Sequence, residues 1–290
     1  MSYLFFALLA ALLYAFSGIS GKIATKHKVK NLPALLFWSN ITALIFVPLL
    51  WLKSGHIQTQ FNPAFFLFVI VFSIASLLTW KVLYKLDVSV YQSLFNTQTI
   101  FVTVLAFFLL GEKFPIITYM AIGLAVVGCL MVSYNENEKV KSFLNKNTLV
   151  MFLAIIFYAL SDILVKKSLT EGLDLWNFKA WSLIAFALVF SPCYFLAKKE
   201  IKISVNQLSP LFFNNLFLVL AHLAVYYAFL TNVTISQTLA MFGSFFTLLI
   251  TAFGSALFPN WLEQHPVKVY IIRTLGSILI IASAIVIVLS

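Results

Sequence analysis

The chain has 290 residues, of which 62% are hydrophobic and only 10% charged, with a mean hydropathy of +1.01. A soluble domain carries about 45–50% apolar and about 25% charged residues, so this composition excludes an ordinary water-soluble enzyme and equally a disordered chain. The net charge of +10 comes with too little total charge for a phosphate-tracking nucleic-acid binder, and it fits the lysine bias that sets membrane topology.

A bilayer core about 30 Å thick needs about 20 apolar residues per helix. Such runs lie at 3–21, 33–52, 63–82, 88–110, 115–134, 148–167, 177–197, 210–230, 233–257 and 267–289. They predict an all-α membrane protein with ten transmembrane helices. The first run follows Met1-Ser2 without the Lys or Arg of a signal peptide, so it reads as a retained span. Pro33, Pro63, Pro115, Pro210 and Pro266 sit at or just before predicted helix starts, where the missing N–H is harmless. Pro48 and Pro192 fall inside the second and seventh spans and predict kinks there. A membrane β-barrel fits poorly, because its strands would alternate with period two over about ten residues, whereas these runs are apolar on all sides for about twenty. Cys129 and Cys193 lie within spans, and the four His are scattered, so neither a metal site nor a cofactor is expected.

The chain repeats itself at a spacing of about 144 residues. Tyr14-Ala15-Phe16-Ser17 answers Tyr158-Ala159-Leu160-Ser161, and Lys22 answers Lys166. Trp38-Ser39 answers Trp181-Ser182, and Pro48 answers Pro192. The segment from Val88 to Leu94 answers that from Val233 to Leu239. Two halves follow, 1–145 and 146–290, each with five spans. Five is odd, so the second half enters the membrane inverted. Inverted repeats are a feature of secondary transporters, with the substrate near the midplane between them.

Three stretches carry a resemblance to a known family. Asp87-Val88-Ser89-Val90 through Leu109-Leu110-Gly111-Glu112-Lys113, the run from Gly123 to Gly128, and Tyr226-Tyr227-Ala228-Phe229 ahead of Val233 resemble the drug/metabolite transporter superfamily in its ten-helix EamA-type branch. They correspond to that branch's fourth helix and following turn, its fifth helix, and its eighth-to-ninth helix join. The second half departs from the pattern by lacking the Gly-Glu-Lys turn, and Tyr14 stands where the family usually has Trp. The Arg often found early in the second helix is absent; Trp38-Ser39-Asn40 occupies that region. The resemblance implies alternating-access export or exchange of a small organic solute such as an amino acid, nucleobase, metabolite or drug. Its partners would be that solute and the lipid bilayer. The four-helix relatives couple to protons through a Glu eight residues before a Lys. Here Tyr14 precedes Lys22, and Tyr158 precedes Lys166, so that scheme does not transfer.

Polar residues inside the spans are the candidate site. Gln92, Asn96, Thr99 and Thr103 share one face of the fourth span, and Gln237, Ser244, Thr247 and Thr251 one face of the ninth, with Met241 at the place of Asn96. Ser73, Ser76, Trp80 and Tyr84 align in the third span, and Asn215, His222 and Tyr226 in the eighth. Tyr14 with Ser17, and Tyr158 with Asp162, come from the first and sixth. These are the cavity-lining helices in the family the chain resembles. Trp80, Tyr84, Gln92, Asn96, Tyr158, Asp162, His222, Tyr226 and Gln237 are therefore the expected substrate-binding residues, with no catalytic residue among them. The alternative for each Ser or Thr is helix–helix hydrogen bonding. Asp162 reads either as a coupling acid or partner of a cation, or as an i,i+4 partner of Lys166. Lys22, Lys81, Lys85 and Lys166 read as snorkelling or functional, and Arg273 as an anchor of the last helix. Trp51, Trp176, Trp261 and Tyr134 read as interfacial belt residues.

Most of the 19 Lys and Arg residues fall on odd-numbered connections, which predicts those loops in the cytoplasm and both termini outside. Ten-helix family members have the opposite habit. The resulting expectation is a multi-pass transporter of the cytoplasmic membrane. The alternatives are a flippase, or flippase subunit, for a lipid-linked substrate and an intramembrane enzyme. No Ser–His, Cys–His or paired-carboxylate arrangement in the spans supports the enzyme.

Overall fold

The computed structural model describes residues 2–25, 29–85, 91, 94–95, 97–132, 146–257 and 266–289. Among these residues thirteen α-helices follow in chain order: α1 Ser2–Ile23, α2 Leu32–Ala43, α3 Val47–Ser54, α4 Pro63–Leu83, α5 Gln98–Leu110, α6 Ile116–Val132, α7 Lys146–Thr170, α8 Leu175–Phe190, α9 Cys193–Ala197, α10 Val205–Phe229, α11 Val233–Ala240, α12 Phe242–Leu257 and α13 Val267–Leu289.

Short polar residues start these helices. Asn31, Asn62, Asp174 and Asn232 each accept a backbone N–H three residues on, at the starts of α2, α4, α8 and α11. Each satisfies a donor that the first turn leaves orphaned. Ser204 and Gln207 form a capping box ahead of α10. That box moves the helix start to Val205, so Pro210 lies inside the helix and not at its beginning as the sequence suggested. Gly111 ends α5 with φ of 70°, a left-handed conformation that disfavours a Cβ.

Helices long and apolar enough to cross a membrane span 3–23, 32–54, 63–83, 149–170, 205–229 and 233–251, and shorter apolar helices span 98–110, 116–128 and 175–190. With α13 they account for every run predicted from the sequence. The surface is apolar: Leu52, Phe108 and Phe195 are each at least 75% exposed. The interior holds Asp162, Lys179, Asn214, Asn215, His222 and Arg273. Apolar outside and polar inside is the distribution of a chain solvated by lipid. The protein is a multi-pass integral membrane protein.

Both predicted proline breaks are present. A 3-10 turn at Leu44–Phe46 separates α2 from α3, whose first turn contains Pro48. Pro192 separates α8 from α9. Two further breaks were not expected. The ninth span, read as one helix over 233–257, is interrupted at Met241. There Met241 N–H donates to the Thr238 carbonyl at 3.1 Å, and Ser244 N–H to the Met241 carbonyl at 3.0 Å. The fourth span has the same feature: Thr97 N–H donates to Leu94 at 3.0 Å, and Ile100 N–H to Thr97 at 3.1 Å. The two sets of i→i+3 bonds tighten the backbone locally and match bond for bond at the repeat spacing. No proline marks either break, which is why the sequence hid them.

The helices pair in a regular scheme. α1 packs along α10, α4 along α7, α6 along α13, α5 against α11, and α2 and α3 against α8 and α9. In span numbers these are first with eighth, third with sixth, fifth with tenth, fourth with ninth and second with seventh. Exchanging the halves turns this set into itself. The α6–α13 contact is close: a Cβ on Gly128 would stand 2.6 Å from the Gly276 carbonyl oxygen.

Even-numbered connections are tied together by hydrogen bonds. Asn177 Nδ2 donates to Ser54 Oγ at 2.7 Å and to the His56 carbonyl at 3.1 Å, and its Oδ1 accepts from Gln58 N–H at 3.0 Å. Trp181 Nε1 donates to the Gln58 carbonyl at 2.8 Å. Trp51, expected in an interfacial belt, turns edge-on to Trp181 at 5.5 Å at this end of the bundle. Trp261 and Tyr134 lie outside the described residues.

Candidate functional site

A central cavity opens between the two halves of the chain. From α1 it receives Tyr14, Ser17, Gly18 and Gly21, and from α4 Phe72, Ser76, Thr79, Trp80 and Leu83. Tyr91, Phe95, Gln98 and Thr99 come from the fourth span, and Tyr158 and Asp162 from α7. Asn214, Leu218 and His222 come from α10, and Gln237, Ala240 and Met241 from the end of α11 and its break. Both helix interruptions therefore border the cavity. Polar side chains reach it because a break and a bundle interior spare them contact with lipid.

Of the residues expected from sequence, Trp80, Tyr158, Asp162, His222 and Gln237 line this cavity. Tyr84 does not: its hydroxyl donates to the Val29 carbonyl at 2.7 Å and ties the first connection to the end of α4. Tyr226 stands one layer behind, stacked on His222 at 5.2 Å and 14°. Gln92 and Asn96 lie outside the described residues. In α10 the expected Asn215 faces α2, donating to the Ser39 carbonyl at 2.6 Å and Thr42 Oγ1 at 2.8 Å. Its neighbour Asn214 faces the cavity. Thr103 and Thr251 do neither: outside the cavity lining, they return their hydroxyls to carbonyls of their own helices at 2.7 Å.

Asp162 is not paired with Lys166. The Gln98 amide donates to Asp162 Oδ2 at 2.6 Å. Lys166, one turn on, reaches Glu112 Oε1 at 2.8 Å. The i,i+4 reading fails because a partner across the bundle offers each side chain better geometry than its own helix does. Gln98 was missed because it lies off the face shared by Gln92, Asn96 and Thr99.

Lys179 was also missed. It stands five residues after the Asp174 cap and reads as a loop charge, yet it is only 2% exposed. Its Nζ lies 2.9 Å from His222 Nδ1. The imidazole in turn meets Tyr14 and Phe72 edge-on, at 5.8 and 5.7 Å. His222 is thus engaged with Lys179, and Asp162 with Gln98.

Glu112, in the turn after α5, gathers three elements. It accepts from Lys166 at the end of α7, from Thr234 Oγ1 at 2.8 Å, and from the Val233 and Thr234 N–H groups at 3.2 and 3.4 Å. A carboxylate at the start of α11 meets orphaned donors and the positive end of the helix dipole. Burial pushes the Glu112 carboxyl up, but the hydrogen bonds from Lys166 and Thr234 and the Lys166 charge outweigh it and hold the group below its ordinary value.

Known proteins resemble this chain in fold and, over part of its length, in sequence. No curated protein matches the sequence. A solved crystal structure, described only as that of a protein, superposes with a TM-score of 0.73 over 99% of this chain and 96% of its own, at 12% identity. That likeness shows the fold, shared over the full length. Residues 1–134 match the model of the EamA-like transporter family, so this first part of the chain is similar to that family of membrane transporters.

Proposed function

We propose that the protein is a secondary transporter that exports a small organic solute across the cytoplasmic membrane by alternating access. The observation that carries this reading is the central cavity bordered by matched interruptions of the fourth and ninth spans. Discontinuous helices at the midplane between repeats are where transporters hold their substrates. Segments 1–145 and 146–290 act as the two five-helix repeats, a division supported by the helix pairing that survives their exchange. Trp80, Tyr158, Asp162, His222 and Gln237 are the proposed binding residues, joined by Gln98 and Asn214.

Two further features support alternating access. The lining reaches Gly21 and Leu83, in the last turns of α1 and α4, toward the odd-numbered connections. The even-numbered end is drawn together by Glu112, Lys166 and Thr234 and by the Asn177 contacts. One end tied and the other approached by the cavity is what a one-sided state requires. The lysine-rich odd connections would then face the cytoplasm, as the charge rule favours.

The test uses Glu112→Cys with Thr234→Cys in a background without Cys129 and Cys193, reconstituted in proteoliposomes. Solutes that raise thermal stability are assayed for flux. A short cleavable bis-maleimide across the pair should stop flux, and cleavage should restore it. Undiminished flux through the cross-linked protein overturns the rocking mechanism.

A further inference from the structure

The cavity wall carries two side-chain amides whose oxygens are unfilled. Gln98 is 2% and Asn214 5% exposed. Gln98 Nε2 donates to Asp162 Oδ2 at 2.6 Å. Asn214 Nδ2 donates to the Ser17 carbonyl at 2.8 Å and to Ser17 Oγ at 3.0 Å. A carboxylate and a backbone carbonyl act here as acceptors, so turning either amide over would set acceptor against acceptor. The orientation of Asn214 is therefore fixed, and that of Gln98 is fixed with Asp162 ionised, the state in which it would receive an ammonium. Gln98 Oε1 and Asn214 Oδ1 are buried with no hydrogen-bond partner among the described residues. Buried acceptors are seldom left so in a native protein.

The Asp162 carboxylate, in the same lining, is a third acceptor. Aromatic rings surround these groups. Tyr14, Trp80, Tyr91 and Tyr158 face the cavity, and Phe72 and Phe95 each meet Tyr158 at 5.1 Å. Aromatic faces attract a cation and stack a flat ring. Two buried cations stand near it, both outside the lining: Lys179 behind the imidazole of His222, and Lys22 at the odd-numbered end, where its Nζ donates to the Leu83 carbonyl at 3.3 Å. An anionic solute placed among the three acceptors would find repulsion where an ammonium finds partners.

We propose that the cavity binds a protonated aromatic amine. Its ammonium donates to Asp162 and to the spare oxygens of Gln98 and Asn214, and its ring stacks among Tyr14, Trp80 and Tyr158. This names the solute class for the transporter reading above and rests on it only for what the binding serves.

The test is binding to the full chain in lipid nanodiscs, read by thermal shift and calorimetry. The probes are tryptamine, phenethylamine, putrescine and indole-3-acetate at millimolar concentration. Tryptamine and phenethylamine should raise the melting temperature, putrescine less, and indole-3-acetate not at all. Asp162→Asn should weaken tryptamine binding at least about tenfold, the loss of a charge-assisted bond. Should that variant not fold, Asn214→Ser, which withdraws one acceptor and leaves the carboxylate, should weaken it several-fold. Stabilisation by indole-3-acetate without tryptamine, silence of both aromatic amines, or unchanged affinity in the variants overturns the proposal. The cross-linking experiment reads conformational exchange with any transported solute, so a wrong solute class and a wrong mechanism give different results.

Discussion

Removing the Glu112 carboxylate is the most informative perturbation of this fold. The side chain is 9% exposed and its partner Lys166 15% exposed. Truncating one member of a buried ion pair costs about 3–5 kcal/mol, because the other charge is left without a partner. Here Lys166 retains some access to solvent, which puts its share at the low end. Glu112 also takes the Val233 and Thr234 donors at the start of α11, and losing a helix cap costs about 0.5–2 kcal/mol. The sum for Glu112→Ala is about 3.5–5 kcal/mol. For a chain of this size that corresponds to a fall in Tm on the order of 10 °C. Thermal unfolding of purified protein in detergent reads it directly. The pH dependence carries a definite sign. The folded carboxyl is held below its ordinary value of 4.5, so its contribution is complete above that pH and is lost as pH falls through the lower folded value. The gap between wild type and variant should thus be constant at neutral pH and close only in acid, below about pH 4.5. A fall of less than about 2 °C at neutral pH, or a gap that persists unchanged in acid, refutes the assignment.

Three other outcomes follow from the same structure. In a double-mutant cycle, Glu112 and Lys166 should couple by at least about 1 kcal/mol, and Asp162 and Lys166 by about zero, since only the first two are in contact; equal couplings would restore the i,i+4 reading. Gly128→Val should destabilise by about 1–3 kcal/mol through overpacking, because even a Cβ there would lie 2.6 Å from a backbone oxygen of α13; a wild-type melting curve would show that α6 and α13 do not meet in this way. Asn177→Leu strands Ser54, His56 and Gln58 groups bonded at 2.7–3.1 Å and should cost about 2–4 kcal/mol, with faster proteolysis of the connection before α4 as a second readout.

The sequence by itself determined the solvent and the all-helical membrane fold, and its internal matches suggested the duplication. Twenty-residue apolar runs have one stable backbone arrangement in lipid, and Pro48 and Pro192 marked their breaks because proline removes a donor wherever it stands. It also pointed to the correct helices for the cavity and to five of their residues, since polar side chains on one helical face must find partners inside the bundle. Only the tertiary structure decided which partner each one takes. Asp162 and Lys166 share a helix face, yet one turns to Gln98 and the other to Glu112. Asn214 and Asn215 are adjacent, yet one faces the cavity and the other α2. Lys179 passed for a loop charge until its neighbours enclosed it. Helical spacing fixes the direction of a side chain to within a face, whereas hydrogen bonds across a bundle depend on where the next helix lies. The interruptions at Thr97 and Met241 belong to the same class: no local residue demands them, and they persist because the packed halves on either side hold the backbone there.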